Sequence, residues 1–337
     1  MDASLPVGKL PADVLKRILS RAPITDSRVL LGPGIGLDCA VLDLGEKLLV
    51  LKSDPITFAS DEIGWYLVQV NANDIATSGA EPRWLLVTTL LPENKTTHKM
   101  VDTISEQVFR ACREAGISVI GGHTEITAGL ERPILMGTLI GEVERERLVT
   151  PRGARPGDRI LLTKGIPIEA TALLARERPE RARSVLNEVE LEQARQFLFQ
   201  PGISVLRDAR LAMKAGHVTA MHDPTEGGLA TALWELCEAS GYGLTFDPQA
   251  VYIPDLSLRL CLAFGLDPMA AIASGALLIC VSPGDADSIC QTLETSGVRC
   301  TDIGFVEPGE PQVQQITPQG RKILDRPIRD EVARIFE

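Results

Sequence analysis

The chain has 337 residues, 45% of them hydrophobic and 23% charged, with a net charge of −11 and only 4% aromatics. That balance belongs to a globular protein too long for a single core. It excludes polyanionic partners such as nucleic acid or an anionic membrane, because no basic run offsets the charge locally, and the scarcity of aromatics excludes a base-stacking surface. No apolar run approaches the ~18 residues of a membrane span and no segment has the form of a signal peptide, which points to a cytoplasmic protein. The seven cysteines, at 39, 112, 237, 261, 280, 290 and 300, form no C-x-x-C pair and read as reduced, mostly buried side chains.

In chain order, Leu10, Val14, Leu15, Ile18 and Leu19 recur at helical spacing, predicting an amphipathic helix over 11–21. The stretch 32–57, GPGIGLDCAVLDLGEKLLVLKSDPIT, follows. Its apolar runs 39–44 and 47–51, split by Gly45 and Glu46, predict a hairpin with a two-residue turn, which carries Asp38 and Asp54 to the same end. A helix over 61–78 stops at Gly79, with Asn71, Asn73 and Asp74 breaking its apolar face. These short polar residues are poor helix formers, so something other than propensity places them there. A strand over 84–91, a helix over 95–115, a short strand over 118–120 opening into a GGHTEIT loop, and a strand over 134–141 complete the first half. The proline-bearing, basic segment 144–158 has no periodicity and reads as an interdomain crossing. The division expected is 1–146 and 147–337.

The second half begins with a strand over 159–163 and helices over 168–176, 186–199 and 204–215. Beyond them come a strand over 218–221, the loop HDPTEGG, and a helix over 229–240. Strands over 244–246, 275–281 and 301–306 follow, with a helix over 286–296 before the last. Both halves are therefore mixed α/β.

Two carboxylates beside a glycine-rich turn suit Mg²⁺ and a polyphosphate, because Mg²⁺ takes hard oxygen ligands and bare backbone amides accept phosphate oxygens. Gly32, Gly34 and Gly36 fit neither a dinucleotide fingerprint, since the third glycine would fall on Leu37, nor a P-loop. They read as a phosphate-covering loop only with Asp38 beside them; alone they would be a surface turn. Asp74 on an apolar helix needs a partner or a metal, and Asp223 beside Pro224 is a helix cap or a ligand. Taken together, Asp38, Asp54, Asp74 and Asp223 all sit at element ends beside glycines, which favours one metal cluster over four coincidences. His123 and Glu125 follow Gly121 and Gly122, where a backbone can approach a ligand closely; His123 alone reads as readily as a hydrogen-bonded loop histidine. Lys52 and Lys164 adjoin the predicted ligand loops and are candidates to neutralise phosphate; the alternative for either is an ordinary strand-end lysine.

The ordered set DCAVLD, KSDPIT, VNANDIATSGAEPRW, GGHTEIT and HDPTEGGLATAL resembles the AIR synthetase-like (PurM-like) ATP-binding superfamily along nearly the whole chain, and within it the hydrogenase-maturation HypE group and the HypE-like AIR synthase-related proteins. The resemblance implies a two-domain PurM-like fold whose N-terminal domain dimerises into a β-barrel, with an α/β C-terminal domain. It implies ATP and Mg²⁺ as cofactors, with Asp38, Asp54, Asp74 and Asp223 matching the metal-coordinating aspartates. Gly32, Gly34, Gly36, Lys52, Asn71, Gly121, Gly122 and Lys164 fall to the nucleotide side, and His123, Thr124 and Glu125 line the acceptor side. The expected function is Mg-dependent phosphoryl transfer from ATP to an oxygen acceptor, either a small molecule or a protein-borne group. The alternatives are a small-molecule kinase resembling thiamine-monophosphate kinase, or an ATP-binding maturation factor without chemistry. Two departures stand out. HypE proteins end in an acceptor cysteine, whereas this sequence ends RDEVARIFE; and His123 stands where HypE and thiamine-phosphate kinases have Asp. Selenophosphate synthetase has a comparable G-G-H, but its reactive Cys or Sec has no counterpart before Gly32.

Overall fold

The computed structural model describes residue 10 and residues 12–335. Pro11, where the first helix was expected to begin, and the last two residues of the chain lie outside them. The first helix, α1, runs Ala12–Leu19. The chain folds as two compact units, an N-terminal one of Asp26–Gly32 and Asp38–Leu148, and a C-terminal one that includes Pro33–Leu37 and everything from Val149.

The N-terminal unit is built on six strands, β1 (Val29–Leu31), β2 (Ala40–Asp43), β3 (Leu48–Ile56), β4 (Glu81–Pro92), β5 (Ser118–Thr127) and β6 (Ile134–Val143), with helices α2 (Ile63–Thr77) and α3 (His98–Ala115). The sheet order is β1-β2-β3-β6-β4-β5, and only the β4–β5 pair is parallel. Every residue of α2 is buried, packed against β3, β6 and α3. A helix enclosed on all sides must be apolar throughout or must satisfy its polar groups internally, and this constraint governs the site described below.

Three expectations are corrected in this unit. The β2–β3 hairpin closes Asp43 against Leu48, so its loop has four residues and not two. β3 runs on to Ile56 because it gains a second partner, β6, which places Asp54 inside a strand opposite Gly137. GGHTEIT is strand and not loop: β5 pairs with β4 along its whole length, with a bulge where Val119 faces Leu85 and Gly121 faces Leu86.

The C-terminal unit carries β7 (Arg159–Thr163), α4 (Ile168–Glu177), α5 (Pro179–Ala182), α6 (Glu188–Gln196), α7 (Leu206–Ala215), β8 (Val218–His222), α8 (Gly228–Ser240), β9 (Gly243–Phe246), α9 (Asp255–Phe264), β10 (Leu278–Val281), α10 (Ala286–Thr295), β11 (Cys300–Glu307), β12 (Val313–Thr317) and β13 (Gly320–Ile323). Its sheet runs β13-β12-β9-β11-β7-β10-β8. The core gathers Ile160, Leu162, Leu233, Leu236, Phe246 and Leu278, all at most 2% exposed. The helix expected over 186–199 is shorter, ending at Gln196 before a wide turn that contains Pro201.

α9 escaped the sequence reading for a physical reason. Leu256, Leu258, Leu260 and Leu262 alternate as a strand would, while the residues it buries, Ser257, Leu260, Cys261 and Phe264, follow helical spacing. The β12–β13 hairpin is mostly polar and gives no apolar signal. All seven cysteines are free thiols and six are buried, as read from the sequence. No helix among the described residues is long and apolar enough to cross a membrane.

Candidate functional site

In the N-terminal unit the first three aspartates converge on one lysine. The pairing of Ala40 with Leu51 carries Asp38, two residues before β2, to the end of β3 that holds Asp54. Lys52 and Asp54 are two apart on β3, so they share a face, and Lys52 Nζ lies 3.1 Å from Asp54 Oδ2 and 3.1 Å from Asp74 Oδ2. Burial alone would push the Lys52 ammonium toward neutrality, but the charges of Asp74, Asp54 and Asp38 outweigh it and hold its pKa well above the ordinary value.

The polar residues of α2 are explained by this arrangement. Asn71 is fully buried; its Oδ1 accepts the Asp54 amide at 3.0 Å and its Nδ2 donates to the Leu67 carbonyl at 2.9 Å and the Asp54 carbonyl at 3.4 Å. It therefore fixes the backbone that presents Asp54. Gly137 makes room for it, since a Cβ there would stand 2.9 Å from Asn71 Nδ2. The carbonyl of Asp74 accepts the Cys39 thiol at 3.1 Å and the Thr77 hydroxyl at 2.8 Å, tying the β2 entrance to α2.

The expected trio on β5 is divided. Thr88 pairs with His123 and Thr89 with Thr124, and strand alternation sends Thr124 to the face opposite His123 and Glu125. His123 Nε2 and Glu125 Oε2 are 3.0 Å apart, and Glu125 Oε1 accepts the Thr127 hydroxyl at 2.7 Å. The Thr127 hydroxyl, and after it His123, lower the pKa of Glu125. Gly121 and Gly122 answer to the sheet itself: a Cβ on Gly122 would stand 1.8 Å from the Val87 carbonyl, so the backbone that comes close is that of β4. β5 has no strand on its outer side among the described residues and is exposed from Ser118 to Ile126. Gly122, His123 and Thr124 all line a cavity of about 310 Å³ between α3 and the sheet, with Val87, Ile104 and Phe109.

In the C-terminal unit, Asp223 follows β8 and is 1% exposed. Beside it His222 Nε2 lies 2.9 Å from Glu235 Oε2 on α8. Gly36, of the glycine loop, has φ +66 and its Cβ position is 2.5 Å from the Glu235 carbonyl, so only glycine fits there; no comparable demand is seen at Gly34, which meets only the Leu37 side chain. Lys164 is buried, donating to the Ser204 carbonyl at 2.6 Å and the Gly202 carbonyl at 3.3 Å, with Asp208 Oδ2 at 3.2 Å. In this arrangement its three donors meet three acceptors within the unit.

Sequence reasoning missed a second acidic group. Glu169 on α4 and Asp330 near the chain end are buried close to Glu226. Burial holds Glu169 up to about 8 and Asp330 up to about 7. A Glu in the first turn of an apolar helix was the available signal for Glu169. None existed for Asp330, which is 103 residues from its partner Gly227.

The N-terminal domain of the AIR synthase related protein family matches residues 36–143, and the C-terminal domain of that family matches residues 155–315. A Methanocaldococcus jannaschii protein named provisionally for hydrogenase expression or formation is 29% identical, over 97% of each chain. The carbamoyl dehydratase HypE of Cupriavidus necator is 29% identical over 83% of this chain and 78% of that one. Among solved structures, HypE in complex with ATP superposes with a TM-score of 0.69 at 23% identity, over 93% of this chain and 90% of that chain. ThiL bound to AMPPCP and TMP gives 0.72 at 22%, over 94% of each.

Proposed function

The chain belongs to the AIR synthase related protein family, and we propose from that premise that it is an ATP-dependent, Mg²⁺-requiring enzyme of the HypE-like group. On this reading it transfers the γ-phosphoryl group to an oxygen of a small-molecule or protein-borne acceptor. The observation that carries the reading is the charge count around Lys52. Three carboxylates, Asp38, Asp54 and Asp74, act on one ammonium, and the remaining negative charge is what a divalent cation would neutralise. The donors are all hard oxygens, the set Mg²⁺ prefers, so the residues fit the ion. Asp38, Asp54 and Asp74 would hold it; Asp223 is retained as a further metal-binding aspartate on the family resemblance alone. When bound, Mg²⁺ supplies charge neutralisation of the polyphosphate.

The chain's own residues then have distinct tasks. Asn71 fixes the Asp54 backbone, and Lys52 draws Asp54 and Asp74 together, 3.1 Å from each. His123, oriented by Glu125, is the candidate base for the acceptor proton. The bare edge of β5 supports a homodimer, because an exposed strand edge flanked by apolar Ile120 and Ile126, 53% and 64% exposed, invites pairing with another chain. HypE and ThiL share this fold with different acceptors, so the acceptor is a matter for experiment.

The test is ATP turnover with Mg²⁺, alone and with thiamine monophosphate or a carbamoylated peptide as acceptor. Binding of ATP without turnover for any acceptor would favour the maturation-factor alternative. Asp54→Asn is expected to weaken Mg-ATP binding about 100-fold or more while leaving the melting temperature near wild type, since losing one of few anionic ligands costs several kcal/mol of metal binding; unchanged affinity overturns the metal assignment.

A further inference from the structure

The HDPTEGG loop of the C-terminal unit closes on two left-handed glycines, Gly227 at φ +79 and Gly228 at φ +61. A Cβ on Gly228 would stand 2.6 Å from the carbonyls of Met269 and Ala271, and the Ala230 amide donates to the Met269 carbonyl at 2.9 Å. The loop is thus pressed against the 269–271 segment. α8 starts at Gly228, and its N-cap residue, Gly227, has no side chain to cap it. The amide of Gly227 is taken instead by Asp330 Oδ2 at 2.6 Å, while Asp330 Oδ1 accepts the Val332 amide at 2.7 Å. The adjoining Glu331 amide donates to the Ala270 carbonyl at 3.2 Å. One short segment therefore grips both loops, and Arg178 holds its far end through the Ile335 carbonyl at 3.1 Å.

The charged groups facing Asp330 are acidic on each side. Glu226 comes from the loop, Glu331 from its own segment and Glu169 from α4; the thiol of Cys261 on α9 also feels its charge. Glu169 is 6% exposed and its Oε2 has no hydrogen-bond partner, although Ser274 lies beside it. Ser274 hydrogen-bonds to Glu169 through its side chain and backbone, but burial outweighs those bonds and favours the protonated acid.

We propose that Asp330 is a positioning residue that sets the loop presenting Asp223, and that Glu169, while neutral, spares it a second charge from α4. This rests on the reading that Asp223 binds metal. Ionisation of both acids would bring two negative charges together beside Glu226 and Glu331. Because Glu169 stays protonated up to about 8, the grip of Asp330 on Gly227 loosens as pH rises through that value.

The test is amide hydrogen exchange on the full chain without nucleotide, from pH 6 to 9.5 and corrected for intrinsic rate, together with the Mg²⁺ concentration that half-saturates ATP binding. Wild type is expected to lose protection at Gly227 above about pH 8, Glu169→Gln to abolish that loss, and Asp330→Asn to lose at least about tenfold protection at all pH while β7 is unchanged. Asp330→Asn should also raise the Mg²⁺ requirement about tenfold. If Asp330→Asn does not fold, Glu169→Gln decides alone: an alkaline loss like that of wild type overturns the proposal. A normal Mg²⁺ requirement in folded Asp330→Asn overturns it too, provided Asp54→Asn abolishes binding. If Asp54→Asn binds Mg-ATP as wild type does, the proposed function has failed, and the exchange result still reports on the grip itself.

Discussion

The two units each gather a set of acids, one around a cation and the other without one. Around β3 and α2, Asp54 and Asp74 lean on Lys52, 3.1 Å from each, and the lysine is held firmly charged. Around α4 and the Asp330 segment, the charged groups acting on Glu169 are Glu226 and Asp330, both acidic, and burial leaves Glu169 protonated at neutral pH. Residue type is the same in both places; the presence of one cation decides whether a carboxylate is available to a metal or serves as a neutral prop.

Removing that cation should break the comparison most sharply. Lys52→Met leaves Asp74, 4% exposed at its side chain, without its ammonium, and loss of one partner of a largely buried pair costs on the order of 3–5 kcal/mol. Chemical denaturation should show this, and millimolar Mg²⁺ should recover more stability in the variant than in wild type. If Mg²⁺ recovers none, the carboxylates do not form a cation site.

The second unit responds to pH. Glu169 has a folded value of about 8 against 4.5, and Asp330 about 7 against 3.8. Both folded values are raised, so the stability they allow is full below pH ~4 and is lost as pH rises through 7 to 8. Unfolding free energy should fall by about 6 kcal/mol between pH 5 and 9 on account of these groups, Glu169 contributing the larger share. Glu169→Gln should remove much of that slope; an identical slope would show that Glu169 is charged in the folded protein.

A smaller effect tests how the first site is held. In Gly137→Ala the new Cβ would stand 2.9 Å from Asn71 Nδ2, and Asn71 is pinned by three hydrogen bonds and cannot swing aside. A cost of about 1–2 kcal/mol is expected, largely abolished in the Asn71→Ala background. Additive double-mutant energies would mean that the two residues do not constrain each other.

The glycine pairs show how much a motif alone conveys. Gly121 and Gly122 look like a ligand approach in sequence, yet the 1.8 Å clash at Gly122 is with β4. Gly36 looks like any loop glycine, yet its positive φ and contact with the Glu235 carbonyl leave no room for a side chain. Sequence supplies the freedom of glycine, and the neighbouring backbone determines what that freedom is for.

Local pattern was enough to reveal the mixed α/β architecture, most strands and helices, the free thiols and the aspartates beside their glycines, because periodicity and turn chemistry act over a few residues. The ordered motifs also carried the family. Tertiary structure alone decided that β3 extends to enclose Asp54, that Asn71 serves the backbone, that Lys164 meets acceptors within its own unit, and that Asp330 reaches Gly227. Each of these depends on a partner far away in the chain, and a charge or a hydrogen bond has no defined strength until packing supplies that partner and excludes water.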